Sequence, residues 1–486
     1  MSKEILNLEP KALWKNFYSL TQIPRPSKKE GKVIEFVKKF GEDLGLETIV
    51  DEVGNVIIKK PATEGMENRK GIILQGHLDM VPQKNADTDH DFEKDPIDAY
   101  IDGEWVTAKG TTLGADNGMG VAAAMTVLES KDLVHGPVEA LFTIDEETGM
   151  TGAEGLKPGL LDGDILLNLD SEDEGELYIG CAGGVNTNGT AEYEEEDVPD
   201  GMAVYKVIVK GLKGGHSGLD INLGRGNSSK IINALLVTAA DKFGLRVSEM
   251  EGGNLRNAIP REASAVVVVP EDKKDDFEKF VKEFEEIVKD EFKETDPGVE
   301  VTAEHADMPA KVMSKKGQEM LFKAVADCPN GAIAMSKELE GIVETSTNLS
   351  IVTAKDGKIE LASLQRSLTE EGKNEIAAAV RASHEAAGLK AVSSGDYPGW
   401  KPNPDSPILK EMKEIYENKF GKVPEVKVIH AGLECGLLGS VYTNWDMISF
   451  GPTIRWPHSP DEKVNIATVQ KFWDFLVETL KNVPEK

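Results

Sequence analysis

Short apolar runs alternate with segments rich in small residues between residues 71 and 170. The runs are "GIILQGHLDMV", "VEALFTIDEETG" and "DILLNLDSED". Each run is long enough for one strand, and the segment "GMGVAAAMTVLES" between the first two has the length and the small side chains of a buried helix. Strands that alternate with helices predict an α/β fold whose central sheet is mainly parallel.

The pattern changes near residue 183, where the Gly-rich and then acidic stretch "GGVNTNGTAEYEEEDVPDG" begins. Beyond it, strand patterns surround charged helices, which indicates an α+β domain with its helices on one face of a sheet. The α/β pattern returns near Trp400, and a chain of 486 residues exceeds the size at which a single core usually stops growing. We therefore predict an α/β domain formed by residues 1–183 and 398–486, with an α+β domain of residues 184–397 inserted into it.

The composition favours a soluble protein that binds neither nucleic acid nor membrane. The formal net charge is −30, with acidic residues spread along the chain, whereas nucleic acids and anionic membranes attract basic surfaces. No segment approaches the roughly 18 uninterrupted apolar residues of a membrane span, and the first residues lack the apolar core of a signal peptide. The three cysteines have no paired spacing, which is typical of free thiols in a reducing compartment. We therefore expect a cytoplasmic protein.

Ionisable residues follow the apolar runs. His77 and Asp79 end the first run two positions apart, so their side chains point to the same face of a strand. A hydrogen-bonded pair that closes the strand would explain them, and so would a functional site. The other ionisable residues at strand ends or helix starts are Asp116, Glu146, Glu147, Asp170 and His458. Ligands and catalytic groups of open α/β sheets collect at the carboxyl ends of the strands, which makes this set a candidate site.

Each of these residues has a simpler interpretation when it is taken alone. Asp116 fits the N-cap of a helix, and the pair Glu146 and Glu147 fits an exposed surface. His458 precedes Ser-Pro and fits a loop residue that makes a hydrogen bond. Taken together, several carboxylates at one edge of a sheet would repel one another without a cation. Two histidines and three carboxylates suit two divalent, zinc-like ions with one carboxylate bridging them.

The order and content of the motifs resemble the M20 metallopeptidases, and most closely the aminoacyl-histidine dipeptidases, a group that includes the Xaa-His and cytosolic non-specific dipeptidases. The motifs extend from residue 77 to residue 462, so the resemblance covers nearly the whole chain. It implies a di-metal α/β catalytic domain with an inserted α+β lid domain. The motifs are "GHLDMV", "GTTLGADNGMGVAAAM", "DEETGMTGA", "NLDSEDEGELYIGCAGG", "GGHSGLDI", "RNAIPREA", "VIHAGLECG" and "PHSPDE".

The resemblance implies a role for each metal-binding residue. His77 and Asp170 would bind one metal ion, and Glu147 and His458 would bind the other. Asp116 would bridge the two ions. Zn²⁺ is the expected metal, and the same ligands would accept Co²⁺ or Mn²⁺.

Three further residues would take part in catalysis by the same resemblance. Asp79 would orient the histidine at the end of the first run, as metal-binding histidines usually require. Glu146 would be the general base that takes a proton from a water bridging the metal ions. His216, in "GGHSG", would stabilise the oxyanion. The family also often has a cis peptide bond after the bridging aspartate, which is here the bond between Asp116 and Asn117.

Substrate-binding residues are also implied by the resemblance. Asn257 and Arg366 would bind the substrate carboxylate, and Glu434, in "HAGLECG", would bind the substrate ammonium. Arg366 would equally suit an ion pair with a neighbouring acidic residue, and Asn257 is open to a similar structural role. Binding both termini would restrict the enzyme to short peptides. Asp at position 170 goes, within the family, with substrates that keep a free amino terminus.

The sequence therefore predicts a metal-dependent dipeptidase that hydrolyses Xaa-His and other unblocked dipeptides. Its partners would be short peptides, and a homodimer through the lid domain is a further expectation from the resemblance. The nearest alternatives are other M20 activities, namely a tripeptide aminopeptidase, an N-acyl-amino-acid deacylase or a carboxypeptidase. A non-catalytic relative that binds peptides or metal would lack the base or a ligand, and none of these residues is missing.

Overall fold

The chain folds into two units, each with its own apolar core. The computed structural model describes residues 3–337 and 339–486. The second unit consists of Ala182–Gly399 together with Ile429–Gly432, so the chain returns briefly to it, a feature that the sequence pattern does not indicate. The first unit contains the chain up to Cys181, Trp400–Val428 and Leu433–Lys486.

Helices and strands follow one another closely along the chain. The helices are α1 (Lys11–Thr21), α2 (Gly31–Asp43), α3 (Ala115–Glu129), α4 (Glu146–Gly149), α5 (Thr151–Gly155), α6 (Ser228–Phe243), α7 (Lys274–Glu291), α8 (Lys315–Asp327), α9 (Glu370–Ala386), α10 (Pro407–Phe420), α11 (Glu434–Val441) and α12 (Ile466–Lys481). The strands are β1 (Glu47–Val50), β2 (Val56–Lys60), β3 (Ile72–His77), β4 (Ala99–Asp102), β5 (Trp105–Ala108), β6 (Val138–Thr143), β7 (Ile165–Asn168), β8 (Glu176–Cys181), β9 (Gly183–Glu192), β10 (Glu195–Asp197), β11 (Met202–Lys210), β12 (Gly215–His216), β13 (Arg246–Gly252), β14 (Ala258–Ile259), β15 (Ala263–Pro270), β16 (Glu300–His305), β17 (Lys311–Met313), β18 (Gly331–Met335), β19 (Val343–Lys355), β20 (Lys358–Ser367), β21 (Lys390–Tyr397), β22 (Glu425–Ile429), β23 (Asp446–Ser449), β24 (Ile454–Arg455) and β25 (Lys463–Asn465).

An eight-stranded sheet forms the centre of the first unit, in the order β1-β2-β6-β3-β7-β23-β8-β22. Its central strands β6, β3, β7 and β23 run parallel to their neighbours in this group. The flanking pairs β1–β2, β2–β6 and β23–β8 are antiparallel. A separate small sheet has the order β24-β25-β5-β4. The predicted α/β fold with a mainly parallel sheet is therefore confirmed for the centre of the sheet, while its two sides are antiparallel.

The parallel strands of this sheet are covered on both faces. Every residue of β3, β6 and β7 is buried, which is why these strands are nearly continuous apolar runs instead of alternating patterns. Helix α3 is also buried on all sides from Asn117 to Leu128, and its many alanines and glycines let it lie close to β3 and α1. Because the central strands are parallel, their carboxyl ends meet at one edge of the sheet.

The second unit is built on a larger sheet with the order β16-β11-β15-β13-β19-β20-β9-β21, in which β18 also pairs with β19. Neighbouring strands along this order are antiparallel. Helices α6 to α9 contribute apolar side chains to the same core as the sheet. The charged helix α7, for example, buries Phe277, Val281 and Val288 and leaves its Lys and Glu side chains outside. This is the α+β arrangement that the sequence predicts.

The segment Ile429–Gly432 is held within the second unit by several contacts. The backbone N–H of Ala182 donates to carbonyl groups of this segment over 3.0 and 3.1 Å. The Nε2 atom of His430 lies 2.8 Å from the hydroxyl of Ser346. Gly218 packs against the segment, since a Cβ atom there would be 1.9 Å from the His430 carbonyl oxygen.

The structure also shows the state of the cysteines and whether any described helix could span a membrane. Cys181, Cys328 and Cys435 are buried and form no disulfide bond, which agrees with their unpaired spacing in the sequence. Within residues 3–337 and 339–486, no helix combines the length and the apolar character needed to cross a membrane.

The backbone at Gly451, just after β23, lies against the loop that follows β7. A Cβ atom at Gly451 would be 1.8 Å from the carbonyl oxygen of Ser171, which is too close for backbone atoms. We expect Gly451→Ala to force a backbone shift and to lower the free energy of unfolding by about 1–3 kcal/mol, as overpacking usually does. Denaturant unfolding followed by circular dichroism measures this change. Gly31→Ala is the control, because nothing lies within 4 Å of its Cβ position. An equal loss in both variants would contradict the packing argument.

Candidate metal centre

The ionisable residues singled out in the first unit follow the parallel strands. β3 ends at His77, and the chain after β6 turns at Asp145, whose φ of 53° directs it into α4. Helix α4 begins with Glu146 and Glu147, and Asp170 lies two residues after the end of β7. These side chains therefore share the carboxyl edge of the sheet.

Asp116 reaches the same edge from the start of α3. Its φ and ψ, −81° and 114°, are not helical, and the peptide bond to Asn117 is cis, as the family resemblance implies. The Asn117 side chain donates to the carbonyl oxygen of Leu169 over 2.6 Å. Gly76 leaves room for this side chain, because a Cβ atom there would be 2.2 Å from the Asn117 Oδ1. The Asp116 carboxylate faces two imidazoles instead of capping the helix.

Two histidines and three carboxylates make a continuous set of short contacts. Oδ1 of Asp116 is 3.1 Å from Nε2 of His77, and its Oδ2 is 3.3 Å from Nε2 of His458. Asp170 lies 3.3 Å from the His77 ring nitrogen, and Glu147 lies 2.8 Å from that of His458. The result is two groups of three potential ligands that share Asp116.

This arrangement fits two divalent cations. One carboxylate oxygen of Glu147 and one of Asp170 are buried without a hydrogen-bond partner among the described residues. The hydrogen bonds and charges of Asp116 and Glu147 raise the pKa of His458 to about 11, so a proton there partly offsets the negative charge. Imidazole and carboxylate donors suit zinc, cobalt and manganese ions, which replace such protons when they bind.

Asp79 contacts the other ring nitrogen of His77, the one that does not face Asp116 and Asp170. It is fully buried, and its carboxylate lies 3.3 Å from Nδ1 of His77. It also accepts hydrogen bonds from the backbone N–H groups of Glu146 (3.0 Å) and Glu147 (3.3 Å) and from the hydroxyl of Ser27 (2.8 Å). Burial raises its pKa, but the hydrogen bond and charge of His77, together with the hydrogen bonds from Ser27 and Glu146, outweigh that effect and lower the pKa to about 2. An anionic Asp79 favours the tautomer of His77 that carries its proton on Nδ1 and leaves Nε2 free as a ligand atom.

Glu146 offers a carboxylate oxygen within 4.8 Å of His77 and of Glu147, but it forms no ion pair within 4.0 Å with either histidine of the set. Burial raises the pKa of its carboxyl well above the ordinary value, and nearby carboxylates add to this rise, although His77 opposes it. A carboxyl with a raised pKa can both accept and return a proton near neutral pH, which is what a general acid–base group requires.

Glu434 lies at the first residue of α11 and is 1% exposed. One of its oxygens accepts hydrogen bonds from Gln75 (2.6 Å) and Thr143 (2.8 Å), which lie on β3 and β6. Burial raises its pKa to about 7. These contacts join Glu434 to buried polar side chains of the central sheet. Its predicted role in binding a substrate ammonium stays a prediction.

The remaining predicted residues lie in the second unit. Nδ1 of His216 accepts hydrogen bonds from the backbone N–H groups of Gly218 (3.1 Å) and Leu219 (3.0 Å), so the ring carries its proton on Nε2. Burial and the charge of Arg366 lower its pKa to about 4, so it is neutral at pH 7. A neutral Nε2–H group is a suitable donor to an oxyanion.

Arg366 and Asn257 belong to the same unit as His216. Arg366 is 5% exposed and donates to the hydroxyl of Tyr397 over 2.8 Å, and no carboxylate of the described residues forms an ion pair with it. Its predicted role in binding the substrate carboxylate stays a prediction. The Asn257 carbonyl oxygen accepts from Ser217 over 2.8 Å, which ties it to the loop of His216.

Sequence reasoning missed several residues that support the centre. Gln75 and Thr143 lie within apolar runs that predict buried strands. The one signal for them in the sequence is that a polar side chain in a buried strand needs a hydrogen-bond partner. Glu462 belongs to the motif "PHSPDE", yet nothing in the motif shows where its side chain points. Arg25 lies between α1 and α2, outside every motif, and is 2% exposed.

A parallel sheet that gathers two imidazoles and three carboxylates at its carboxyl edge is typical of two-metal hydrolases. Comparison with known proteins agrees. The sequence profile of Peptidase family M20/M25/M40 matches residues 73–482. The cytosol non-specific dipeptidase of Escherichia coli (strain K12) is 45% identical over 483 residues, which cover 99% of this chain and 100% of that protein.

Solved structures are similar over the same length. The aminoacylhistidine dipeptidase of Vibrio alginolyticus has a TM-score of 0.92 and 49% sequence identity, and the match covers 100% of this chain and 99% of the other. The aminopeptidase PepT of Bacillus cereus ATCC 10987 shares the fold at 18% identity, with a TM-score of 0.61 and coverage of 98% and 99%. The chain belongs to peptidase family M20/M25/M40, and the family prediction made from the motifs is confirmed.

The ligand set predicts a defined metal content. We expect the metal-stripped wild-type chain to bind two Co²⁺ or Zn²⁺ ions, and His458→Ala to bind one, because one of the two groups that share Asp116 then loses its only imidazole. Equilibrium dialysis with elemental analysis measures the content. His305→Ala removes an exposed histidine of the second unit and should still bind two ions. Two ions bound with unchanged affinity in His458→Ala would show that His458 is not a ligand.

Proposed function

We propose that this chain is a metal-dependent dipeptidase that hydrolyses Xaa-His and other unblocked dipeptides. The observation that supports it most directly is the position of Glu146, a carboxyl with a raised pKa, beside two ligand groups that share Asp116. Two relatives that match this chain over almost its full length are named as dipeptidases, one non-specific and one for aminoacylhistidine.

The contacts between the histidines and carboxylates support the proposed metal ligands. His77 and Asp170 would hold one ion, and Glu147 and His458 the other, with one carboxylate oxygen of Asp116 directed to each group. When bound, such ions polarise the substrate carbonyl and lower the pKa of a water toward neutrality. Zn²⁺ is the metal that we propose, and Co²⁺ or Mn²⁺ would suit the same donors.

Glu146 moves the proton in this mechanism. Its carboxylate takes a proton from the attacking water and then gives it to the amine that leaves when the peptide bond breaks. The chain keeps Glu146 free for this task because the adjacent Glu147 supplies the carboxylate that contacts His458. Asp79 holds the N–H groups of both residues, which fixes the backbone from which the two side chains diverge.

Residues of the second unit and Glu434 have proposed roles in binding the peptide. The neutral Nε2–H group of His216 would donate to the oxyanion. Arg366 and Asn257 would bind the substrate carboxylate, and Glu434 the ammonium, so that both ends of a short peptide are recognised. Arg366 is buried and forms no ion pair with a carboxylate among residues 3–337 and 339–486, which supports this proposal, because a buried cation needs an anionic partner.

We also propose a cytoplasmic location and a homodimer. A cytoplasmic location is supported by three cysteines that form no disulfide bond and by a relative named for the cytosol. A homodimer through the second unit rests on the family resemblance alone, and sedimentation of the purified chain would test it.

The substrate class can be tested with a panel of peptides. We expect metal-stripped protein to be inactive, and expect Zn²⁺, Co²⁺ or Mn²⁺ to restore hydrolysis of Ala-His and other dipeptides. Tripeptides and N-acetyl amino acids should be spared, because the first are too long and the second lack the ammonium group. Release of free amino acids, followed by chromatography, measures each rate. Faster cleavage of a tripeptide or of an N-acetyl amino acid would replace the proposal by one of the other activities of the family.

The role of Glu146 can be tested separately from metal binding. We expect Glu146→Gln to keep both metal ions and to lose roughly three or more orders of magnitude in kcat, from the middle of the ~10²–10⁴ range for a general base upward, because the same group also acts as acid. Glu154→Gln, an exposed carboxylate on the adjoining helix α5, is the control and should retain wild-type kcat. Near-normal turnover in a metal-loaded Glu146→Gln would rule out this mechanism.

A further inference from the structure

The side chain of Glu462 accepts hydrogen bonds from four consecutive backbone N–H groups. One oxygen accepts from Leu113 (2.7 Å) and Gly114 (2.9 Å), and the other accepts from Ala115 (2.8 Å) and Asp116 (3.2 Å). Glu462 is 2% exposed, so no solvent competes for these bonds. A single carboxylate therefore fixes the whole backbone turn that presents Asp116.

Glu462 is also joined closely to His458. The backbone N–H of Glu462 donates to the carbonyl oxygen of Ser459 over 2.9 Å, which closes a tight turn just after His458. The Glu462 carbonyl oxygen accepts from the hydroxyl of Thr107 over 2.8 Å, which ties this turn to β5. Through its side chain and backbone, Glu462 thus connects the loop of His458 to the loop of Asp116.

Arg25 holds the same backbone turn from another direction. Its guanidinium donates to the carbonyl oxygens of Leu78 (2.9 Å) and Asp79 (2.8 Å) and also to that of Gly114. The side chain is 2% exposed, and a buried cation requires compensating acceptors and negative charge. Arg25 therefore binds the Gly114 carbonyl group of the turn whose N–H groups bind Glu462, and it joins this turn to the backbone of Leu78 and Asp79.

We propose that Glu462 is a positioning residue that sets the separation of His458 and Asp116, and thereby the affinity for the metal ion held between these two residues and Glu147. The inference rests on the metal centre proposed above. The contact that depends on it is the 3.3 Å separation of the His458 Nε2 and the Asp116 Oδ2. Glu462 itself is not a ligand, because both of its oxygens are already used by backbone N–H groups.

Stepwise titration of the metal-stripped full chain with Co²⁺, followed by its absorption spectrum, tests the proposal. We expect Glu462→Gln to weaken one of the two binding steps ~10–100-fold, as loss of a residue that orients a ligand usually does. The amide replaces one accepting oxygen by a donor group that faces two N–H donors. Glu462→Asp keeps the charge but is shorter, so it should weaken the same step to a smaller degree.

Glu139→Gln is a matched control within the same unit. Glu139 is 5% exposed and accepts from the backbone N–H groups of Asp162 (2.9 Å) and Gly163 (2.8 Å). It lies near the start of β6, about 13 Å along the strand from the end at Thr143 where the candidate ligands collect. Both Gln variants alter a buried carboxylate that accepts from backbone N–H groups, and Glu139→Gln also removes an ion pair with Lys59 (3.0 Å). Only the variant at Glu462 should change Co²⁺ affinity. Equal loss of affinity in both variants would show a merely structural effect and overturn the proposal.

A double-mutant cycle shows whether Glu462 acts through His458. In the His458→Ala background, Glu462→Gln should weaken the remaining Co²⁺ step less than it weakens the affected step of the wild-type chain, because only the positioning of Asp116 is left to lose. A loss as large as in the wild-type background would overturn the proposal. Wild-type chain that binds no Co²⁺ would reject the metal centre itself, whereas two bound ions with unchanged affinities in Glu462→Gln would reject only the role of Glu462.

Discussion

The mutual repulsion of three carboxylates, Asp116, Glu147 and Asp170, is the constraint on which the rest of the first unit depends. Their oxygens lie within 3.3 Å of two imidazole nitrogens, so no rearrangement within the set can separate the charges widely. Such a group is stable only when protons or cations share it. The surrounding fold must therefore hold these side chains against their own electrostatic preference, and buried strands and a close-packed helix supply that rigidity.

Beneath the ligands, the parallel sheet contains polar side chains that bond to one another. Asn168 donates to Gln75, Gln75 and Thr143 donate to Glu434, and Ser449 donates to Asn168. These residues come from β3, β6, β7, β23 and α11, so the network connects every central strand of the sheet. Hydrogen bonds of this kind have directions, which apolar contacts lack, and they can keep neighbouring strands in one register.

The sequence was most informative where chemistry follows a regular element. The ends of β3, β6 and β7 could be placed from apolar runs, and the residues after them then had to share one edge of a parallel sheet. Arg25 and Glu462 were out of reach because they act on backbone carbonyl and N–H groups, which are the same at every position and leave no pattern in the side chains. Motif order showed that Glu462 belongs to the family pattern, but its four acceptor bonds depend on a turn 346 residues earlier in the chain.

The return of Ile429–Gly432 to the second unit means that the second unit is not one continuous fragment of the chain. The chain passes between the units at four places, after residues 181, 399, 428 and 432. A fragment that ends at Gly399 would lack the strip that lies on Gly218 and bonds to Ala182 and Ser346. During synthesis, the second unit cannot complete its packing until residues of the C-terminal part of the first have been made. Two cuts, after residues 181 and 399, therefore leave the second unit without Ile429–Gly432. A domain inserted at one place would be released whole by two cuts.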